Sequence, residues 1–438
     1  MTITDFLNNE LVDYAKYSTI RAIPSYIDGL KNSSRKIIYT ALSELSKPTK
    51  VSVFSGVAQL KTLYLHGDIS DTVVNLSREF TGTNNLPLLQ GSGNFGTRML
   101  PEASASRYIF TEKAPYFNYI INPLDQEILI KQEFEGEEIE PRFFVPDIPM
   151  ALVNQSLGIA TGFSTSIYPR DPKALIKYLL ASLKNEKTDE RDLDIFFKGY
   201  KGKIIKEKDK TVIKGIYNIN RQEITITEIP IGQNLNSYKT LLDNLEDKKT
   251  IKSYEDLSQN DEFKFIIKVE KAFIEKGQEY LEKTLGLVKP LNENLTFLDQ
   301  NNNIITFNNV KELIEKYINI KLEYLQKRKD YILAKKTKSL KEMISECFFI
   351  KKVLEQEIDL KEQNKEDIII LLEQESKFVK KNDSFDYLFK IPLISLTPKK
   401  LSELKQKIKD LKQDIDNLAN SSIQELWIKD LEKLQGII

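Results

Sequence analysis

DGLKNSSRKIIYTALSEL, residues 28–45, is the stretch from which the fold is read. Asp28-Gly29 is a turn signal, since aspartate accepts from nearby backbone N–H groups and glycine tolerates a left-handed φ. After the turn the spacing predicts a helix with Lys31, Arg35 and Lys36 on its early turns and Ile37, Ile38 and Leu42 as its apolar positions. A second helix is predicted near SDTVVNLSREF, residues 70–80. Two short helices with basic starts are the pattern of a helix-turn-helix or winged-helix module, and many ordinary helical domains show it too.

On the amino-terminal side, residues 1–20 alternate polar and apolar groups at helical spacing and predict a short arm helix, able to cap its own domain or to dock. Around the opening stretch, residues 21–170 hold most of the glycine and proline punctuation, so loops are expected to carry function in a mixed domain. Residues 200–300 alternate with the period of strands, most clearly in TVIKGIYNI and QEITITEIPI, where Ile224 and Ile226 face one way and Thr225 and Thr227 the other. From residue 308 the chain turns helical and charged, with Ile314, Ile318, Leu322 and Leu325 on one face. Leu401, Leu404, Ile408, Leu411, Ile415 and Leu418 then repeat in heptads. Between the two long helices lies DSFDYLFKIPLISLTP, an apolar unit at the far end of an antiparallel hairpin, placed either to meet a second copy or to pack on its own stalk. The fold class that results is α+β and multidomain.

Composition narrows the chemistry. With 438 residues, 41% of them hydrophobic and 29% charged, and no long apolar run, the chain reads as globular without a membrane span. The start, MTITDFLNNELVDYAKY, lacks the basic and apolar blocks of a secretory signal, so a cytoplasmic protein is expected. One cysteine, Cys347, and one histidine exclude a disulfide framework, a cysteine zinc site and a multi-histidine metal site. Lys+Arg and Asp+Glu both number 64, so overall charge points to no partner. Residues 21–120 carry eleven Lys/Arg against seven Asp/Glu, a local excess compatible with a DNA face, whereas EFEGEEIE at 133–140 is acidic.

Gly91-Ser92-Gly93-Asn94-Phe95-Gly96 fits G-x-G-x-x-G, but the dinucleotide fingerprint also requires a helix opening on the last glycine and an acidic residue about 20 positions later. Here TRMLPEASAS follows, no βαβ unit surrounds it, and the run is read as a tight turn that brings Asn94 and Phe95 into a site. Arg107-Tyr108 comes soon after, behind the small residues EASAS that permit close approach. Spacing does not single out one of 19 tyrosines; its neighbour does. A guanidinium offers planar donors matched to phosphate oxygens, beside a phenol able to act as nucleophile. His66, in LHGD, is the only histidine, and a lone histidine is usually structural.

RAIPSYIDGLKNSSRKIIY, LHGD, GSGNFG, ASRYIF and NQSLGIATGFSTSI follow one another across 21–167, with TEIP at 227–230 and FKIPLISLT at 389–397. In that order they resemble the type IIA DNA topoisomerase breakage-reunion subunit of bacterial gyrase and topoisomerase IV. The compact length, ASRYIF and FFIKKVL are most similar to the medium subunit of T-even-like phage enzymes. The resemblance implies an arm helix over 1–20, a winged-helix catalytic domain over 21–130, a tower domain over 131–307, and a coiled coil over 308–438 with a dimerisation gate at about 361–397.

It implies further that Tyr108 attacks a DNA phosphate, forming a 5′-phosphotyrosyl bond and releasing a 3′-hydroxyl. A free phenol has a pKa of about 10, so attack needs a base or stabilising charge. Arg107 and Arg21 match residues that act on that phosphate, and His66 matches the histidine that helps hold it. Lys31, Arg35 and Lys36 fall on the family's DNA-facing helix, and Ile159 matches the residue wedged between base pairs. Magnesium and ATP are expected on a partner ATPase/metal-binding large subunit, with no metal ligand here. The partners implied are double-stranded DNA and that large subunit, built on a homodimer within a heterotetramer or larger complex. Nothing follows the coiled coil, so relaxation and decatenation are expected rather than DNA wrapping. Two departures stand out: Tyr64 replaces a second histidine, and the segment after HGD is shortened before Asp71-Thr72. The competing readings are a non-catalytic DNA clamp or chromosome-organising protein, and a nucleotide-dependent oxidoreductase.

Overall fold

The arm forms as two helices, α1 (Ile3–Asn8) and α2 (Glu10–Ala22). Thr2 and Asp5 close a capping box on α1, while α2 runs past residue 20, so Arg21 lies in its last helical turn. The structure, a computed structural model, describes residues 2–206, 210–360 and 362–438. It consists of two units, Met1–Lys321 with Ile428–Ile438, and Leu322–Trp427.

In the first unit a buried carboxylate sets the opening turn. Asp28 accepts from the backbone N–H of Leu30 (2.9 Å) and Phe144 (3.0 Å) and from the Arg35 guanidinium at 2.8 and 3.0 Å. Gly29 is required beside it: its φ is +67°, and a Cβ there would strike the backbone of Ala151. Helix α3 (Asn32–Glu44) follows, then β1 (Thr49–Lys50), α4 (Val51–Lys61) and α5 (Ser70–Ser77), and the three helices pack on one another. The second predicted helix is therefore present as α5. Helix α4 was not legible, because Val53, Val57 and Leu60 leave apolar side chains on its exposed face as well as on its buried one and blur the period.

Strands β2 (Leu89–Ser92) and β3 (Phe110–Lys113) complete a three-stranded antiparallel sheet in the order β1-β3-β2. After the short α6 (Phe117–Ile120), the acidic run folds as a hairpin of β4 (Gln132–Phe134) and β5 (Glu137–Ile139), turning through positive φ at Glu135 and Gly136. The single-turn α7 (Met150–Val153) leads to a second hairpin, β6 (Ser156–Ile159) with β7 (Ser164–Ile167), and then α8 (Pro172–Leu183).

The strand-rich region holds two sheets. Strands β8 (Lys203–Lys206) and β9 (Thr211–Lys214) belong to one, and β10 (Ile216–Asn220), β11 (Glu223–Glu228), β12 (Ser253–Asp256) and β13 (Phe265–Lys268) form the other, ordered β10-β11-β13-β12. As the alternation predicts, Ile224 and Ile226 are buried and Thr225 and Thr227 are not. Helices α9 (Leu235–Asp247), α10 (Lys271–Glu275) and α11 (Gln278–Thr284) contribute Tyr238, Leu242, Phe273 and Leu281 to the same core. Strand β14 (Val288–Leu291) joins β9, and β15 (Thr296–Leu298) pairs with β16 (Ile304–Thr306) while bonding back to Pro24 and Tyr26.

Helix α12 (Val310–Leu354) starts in this unit, where the buried Lys321 ammonium is held by the Asp147 carboxylate and the Val145 carbonyl. In the second unit α13 (Lys365–Glu373), α14 (Asp386–Phe389) and α15 (Pro398–Asn420) follow. Lys329 bonds the carbonyls of Ala419 and Ser421 and Lys336 pairs with Asp414, so α12 and α15 run antiparallel. Of the heptad residues Leu404 is buried and the other five are half-buried, which is all that a two-helix stalk can cover. At its far end Phe349, Ile358, Ile368, Leu372, Phe385 and Leu388 build a small core, while Leu393 and Ile394 stay 76% and 87% exposed. Lys361, where the expected gate segment begins, lies outside the described residues. The last helix, α16 (Ile423–Ile437), returns residues 428–438 to the first unit, where Leu431 and Leu434 are buried.

Candidate active site

The loop after β2 is shaped by glycine. Gly93 and Gly96 have φ of +106° and +90°, and Asn94 accepts from the Gly96 N–H in a tight turn. No helix opens on Gly96, as the dinucleotide fingerprint would require. The expected turn is present, but Phe95 points inward, its ring against Gly91 where a Cβ would not fit.

Tyr108 lies two residues before the central strand β3. Ile109 beneath it is buried against Gly93, where a Cβ would come within 2.9 Å of the Ile109 side chain. Helix α4 completes the mount: its first N–H groups, on Val51 and Ser52, donate to the carbonyls of Ile109 (3.0 Å) and Ser106 (3.2 Å). The backbone on both sides of Tyr108 thus caps a helix. Its side chain projects outward, 67% exposed, with the Arg107 guanidinium 5.0 Å from the ring centroid.

Arg21 and His66 form a second cluster, joined by a residue that sequence reasoning missed. Tyr17 accepts from Arg21 Nη1 at 2.9 Å, and its hydroxyl lies 2.8 Å from His66 Nε2. The Tyr64 ring stands edge-on to His66 at 5.5 Å. The signal was available: Tyr17 and Arg21 are four apart on one helix, so their side chains share a face. Among the described contacts none joins this cluster to Tyr108 or Arg107.

The β6–β7 hairpin rides on the same helix. A Cβ on Gly158 would strike the Ala22 carbonyl, and the Thr161 N–H donates to Ser18. This places Ile159 at the strand end with 88% of its surface exposed, near the exposed Leu157 and Phe163. Lys31, the N-cap of α3, reaches the Leu157 carbonyl at 2.6 Å, and burial lowers its pKa below the usual lysine value.

Arg35 and Lys36 depart from expectation. Both are buried, at 5% and 7% exposure, Arg35 on Asp28 and Lys36 on Glu140 (2.8 Å) and the Thr62 carbonyl (2.9 Å). Each cation is held by a carboxylate inside the fold, so neither presents a free phosphate-binding face, and the two pairs tie α3 to Asp28 and Glu140. Lysine and arginine count as surface residues by default, and only knowledge of the distant Glu140 would have placed Lys36 inside.

Three comparisons with known proteins bear on this arrangement. The family model for the A-subunit of DNA gyrase/topoisomerase IV matches residues 21–432. The chain is 32% identical over 450 residues to the mitochondrial DNA topoisomerase 2 of Dictyostelium discoideum, covering 99% of this chain and 35% of that protein. It is 29% identical over 447 residues to the DNA topoisomerase medium subunit of Enterobacteria phage T4, covering 99% and 98%. The chain spans about a third of the length of the first curated relatives it matches. Its fold superimposes with a TM-score of 0.89, at 28% identity, on the DNA-binding, cleavage and re-ligation domain of Plasmodium falciparum topoisomerase II, covering 99% of this chain and 64% of that one. This chain therefore belongs to the DNA gyrase/topoisomerase IV A-subunit family.

Proposed function

We propose that the chain is the DNA-cleaving and rejoining subunit of an ATP-dependent type II topoisomerase. The observation that carries this reading is Tyr108, an exposed phenol on a rigidly docked backbone with a guanidinium over its ring. In the proposed reaction the Tyr108 oxygen gives up its proton and attacks a backbone phosphorus, the bond to the 3′ oxygen breaks, and that oxygen takes up a proton to leave as the 3′-hydroxyl. Attack by that hydroxyl on the same phosphorus breaks the bond to the tyrosine oxygen, returns a proton to the phenol and reseals the strand. Arg107 would fork two oxygens of the phosphorane-like transition state. Arg21 and His66, gathered through Tyr17, would hold the same phosphate once DNA spans both clusters.

Residues 21–130 are proposed to act as a winged-helix module and 131–307 as a tower; support comes from the three packed helices with their small sheet and from the two larger sheets. Lys31 would contact phosphate beside the hairpin, and Ile159 would wedge between base pairs. Ile159→Ala is then expected to reduce bending of a duplex labelled at both ends, read by energy transfer, and to lower cleavage about tenfold, the equivalent of about 1.4 kcal/mol of lost unstacking support. Unaltered bending would remove Ile159 from the DNA interface.

Residues 308–438 are proposed as the coiled coil, its apolar tip as a homodimer contact, with Leu393 and Ile394 at the centre. Placing Asp at both positions should weaken self-association in the absence of DNA by about a hundredfold or more, measured by sedimentation, since charge would be forced into an apolar contact. A relative named as a medium subunit supports an assembly with further subunits. Magnesium and ATP are assigned to a partner ATPase/metal-binding subunit. Among the described residues no group of three or more His, Cys, Asp or Glu is placed to hold a metal. A cytoplasmic location is part of the same proposal; no described helix is long and apolar enough to cross a membrane.

The test is to denature the chain, its partner subunit, Mg²⁺ and end-labelled duplex together after reaction. Covalent protein on the 5′ ends supports the proposal. DNA binding without attachment, in the presence of a cleavage-stabilising poison, would favour a non-catalytic clamp.

A further inference from the structure

The TEIP run at 227–230 takes part in none of the chemistry above, yet it touches the loop that carries Tyr108. Glu228, buried at the end of β11, meets the guanidinium of Arg98 at 2.5 Å. Arg98 Nη2 also donates to the Ile229 carbonyl at 2.6 Å, and the guanidinium carbon lies 5.5 Å from the Tyr200 ring and 5.0 Å from the Phe263 ring. Glu228 is held from its own side as well, accepting from the backbone N–H of Ile229 (3.0 Å) and Lys201 (3.2 Å). Next to Arg98, Met99 sinks into the core of the four-stranded sheet, donates to Asp261 at 3.3 Å and accepts from the Leu235 N–H at 3.2 Å.

Ten positions on, the chain is docked again, on the first N–H groups of α4. Between the two docks Arg78 holds the Pro101 carbonyl at 2.7 Å. The segment from Arg98 to Tyr108 is thus a span fixed at both ends, one end on the sheet and the other on the helical module. A buried ion pair stabilises a fold poorly compared with apolar residues of the same volume, but it is strongly directional.

We propose that Arg98 and Glu228 are positioning residues for the reaction, setting where Arg107 and Tyr108 stand relative to DNA. This rests on the cleavage reading of Tyr108. Both side chains are buried, so disturbing the pair is expected to change the cleavage step rather than DNA affinity.

The test uses Arg98→Lys, which keeps the charge but loses the planar fork, in the full chain. Amide exchange of the chain alone is read first. Exchange across 102–109 should rise at least tenfold while the amides of β11 and β13 keep wild-type rates. Unchanged exchange in the span, or an equal rise in the sheet, overturns the proposal, the second outcome marking a purely structural pair. Covalent trapping with Mg²⁺ and the partner subunit is read next. At DNA affinity within about twofold of wild type, trapped product should fall at least tenfold, and wild-type trapping overturns the proposal. If the wild-type protein itself traps no DNA, it is the cleavage reading that fails, and the exchange result still decides whether the pair positions the loop.

Discussion

Tyr108→Phe is expected to abolish covalent attachment to DNA and, with it, strand passage, a loss of roughly 10⁴-fold or more, because no other atom of the side chain can attack phosphorus. The substitution removes only the hydroxyl. The ring remains beneath Arg107, and the backbone bonds that cap α4 do not involve the side chain. Thermal unfolding and DNA affinity should therefore match the wild type, which separates loss of the nucleophile from loss of the fold. Equal trapping by both proteins would mean that another tyrosine reacts. Arg107→Ala should be milder, roughly 10²–10³-fold in the rate of trapping, the usual loss when one donor to a developing charge is removed.

The largest expected effect on stability lies at Asp28. One carboxylate there serves two backbone N–H groups and both forks of Arg35. Asp28→Ala leaves a guanidinium buried without its counter-charge, which costs roughly 3–5 kcal/mol. Urea unfolding followed by exchange of the α3 amides is the appropriate measurement, since a chain with two units need not unfold in one step. A change below about 1 kcal/mol would show that Arg35 finds water or another acceptor. Lys31→Ala should do little to stability, because Lys31 bonds one carbonyl on an exposed hairpin.

What could be read in advance follows from the range of the interactions. Heptads in α15 and the Ile/Thr alternation in β11 express local periodicity, and both elements formed as read. The opening turn and α3 were legible because Asp28-Gly29 is a local signal. Burial of Lys36 was not, since its counter-ion Glu140 is 104 residues away, in an acidic run that carries no local signal of burial. The motifs pointed to Tyr108, Arg107, Arg21 and His66 as separate residues. Their grouping into two clusters depends on tertiary packing, and Tyr17, whose hydroxyl joins Arg21 to His66, belongs to no motif. Arg98 went unnoticed for the same reason, its partner Glu228 being on a strand of another sheet.

Cleavage by Tyr108 is tested most directly by identifying the residue that bears the DNA. Wild-type chain, Mg²⁺ and the partner subunit would be denatured on duplex, the DNA trimmed by nuclease, and the protease-derived peptides analysed by mass spectrometry. A 5′-linked nucleotide is expected on the peptide containing Tyr108, with the 3′ end of the broken strand left as a free hydroxyl. A nucleotide on any other peptide, or an adduct carrying the 3′ end of the strand, would contradict cleavage by Tyr108.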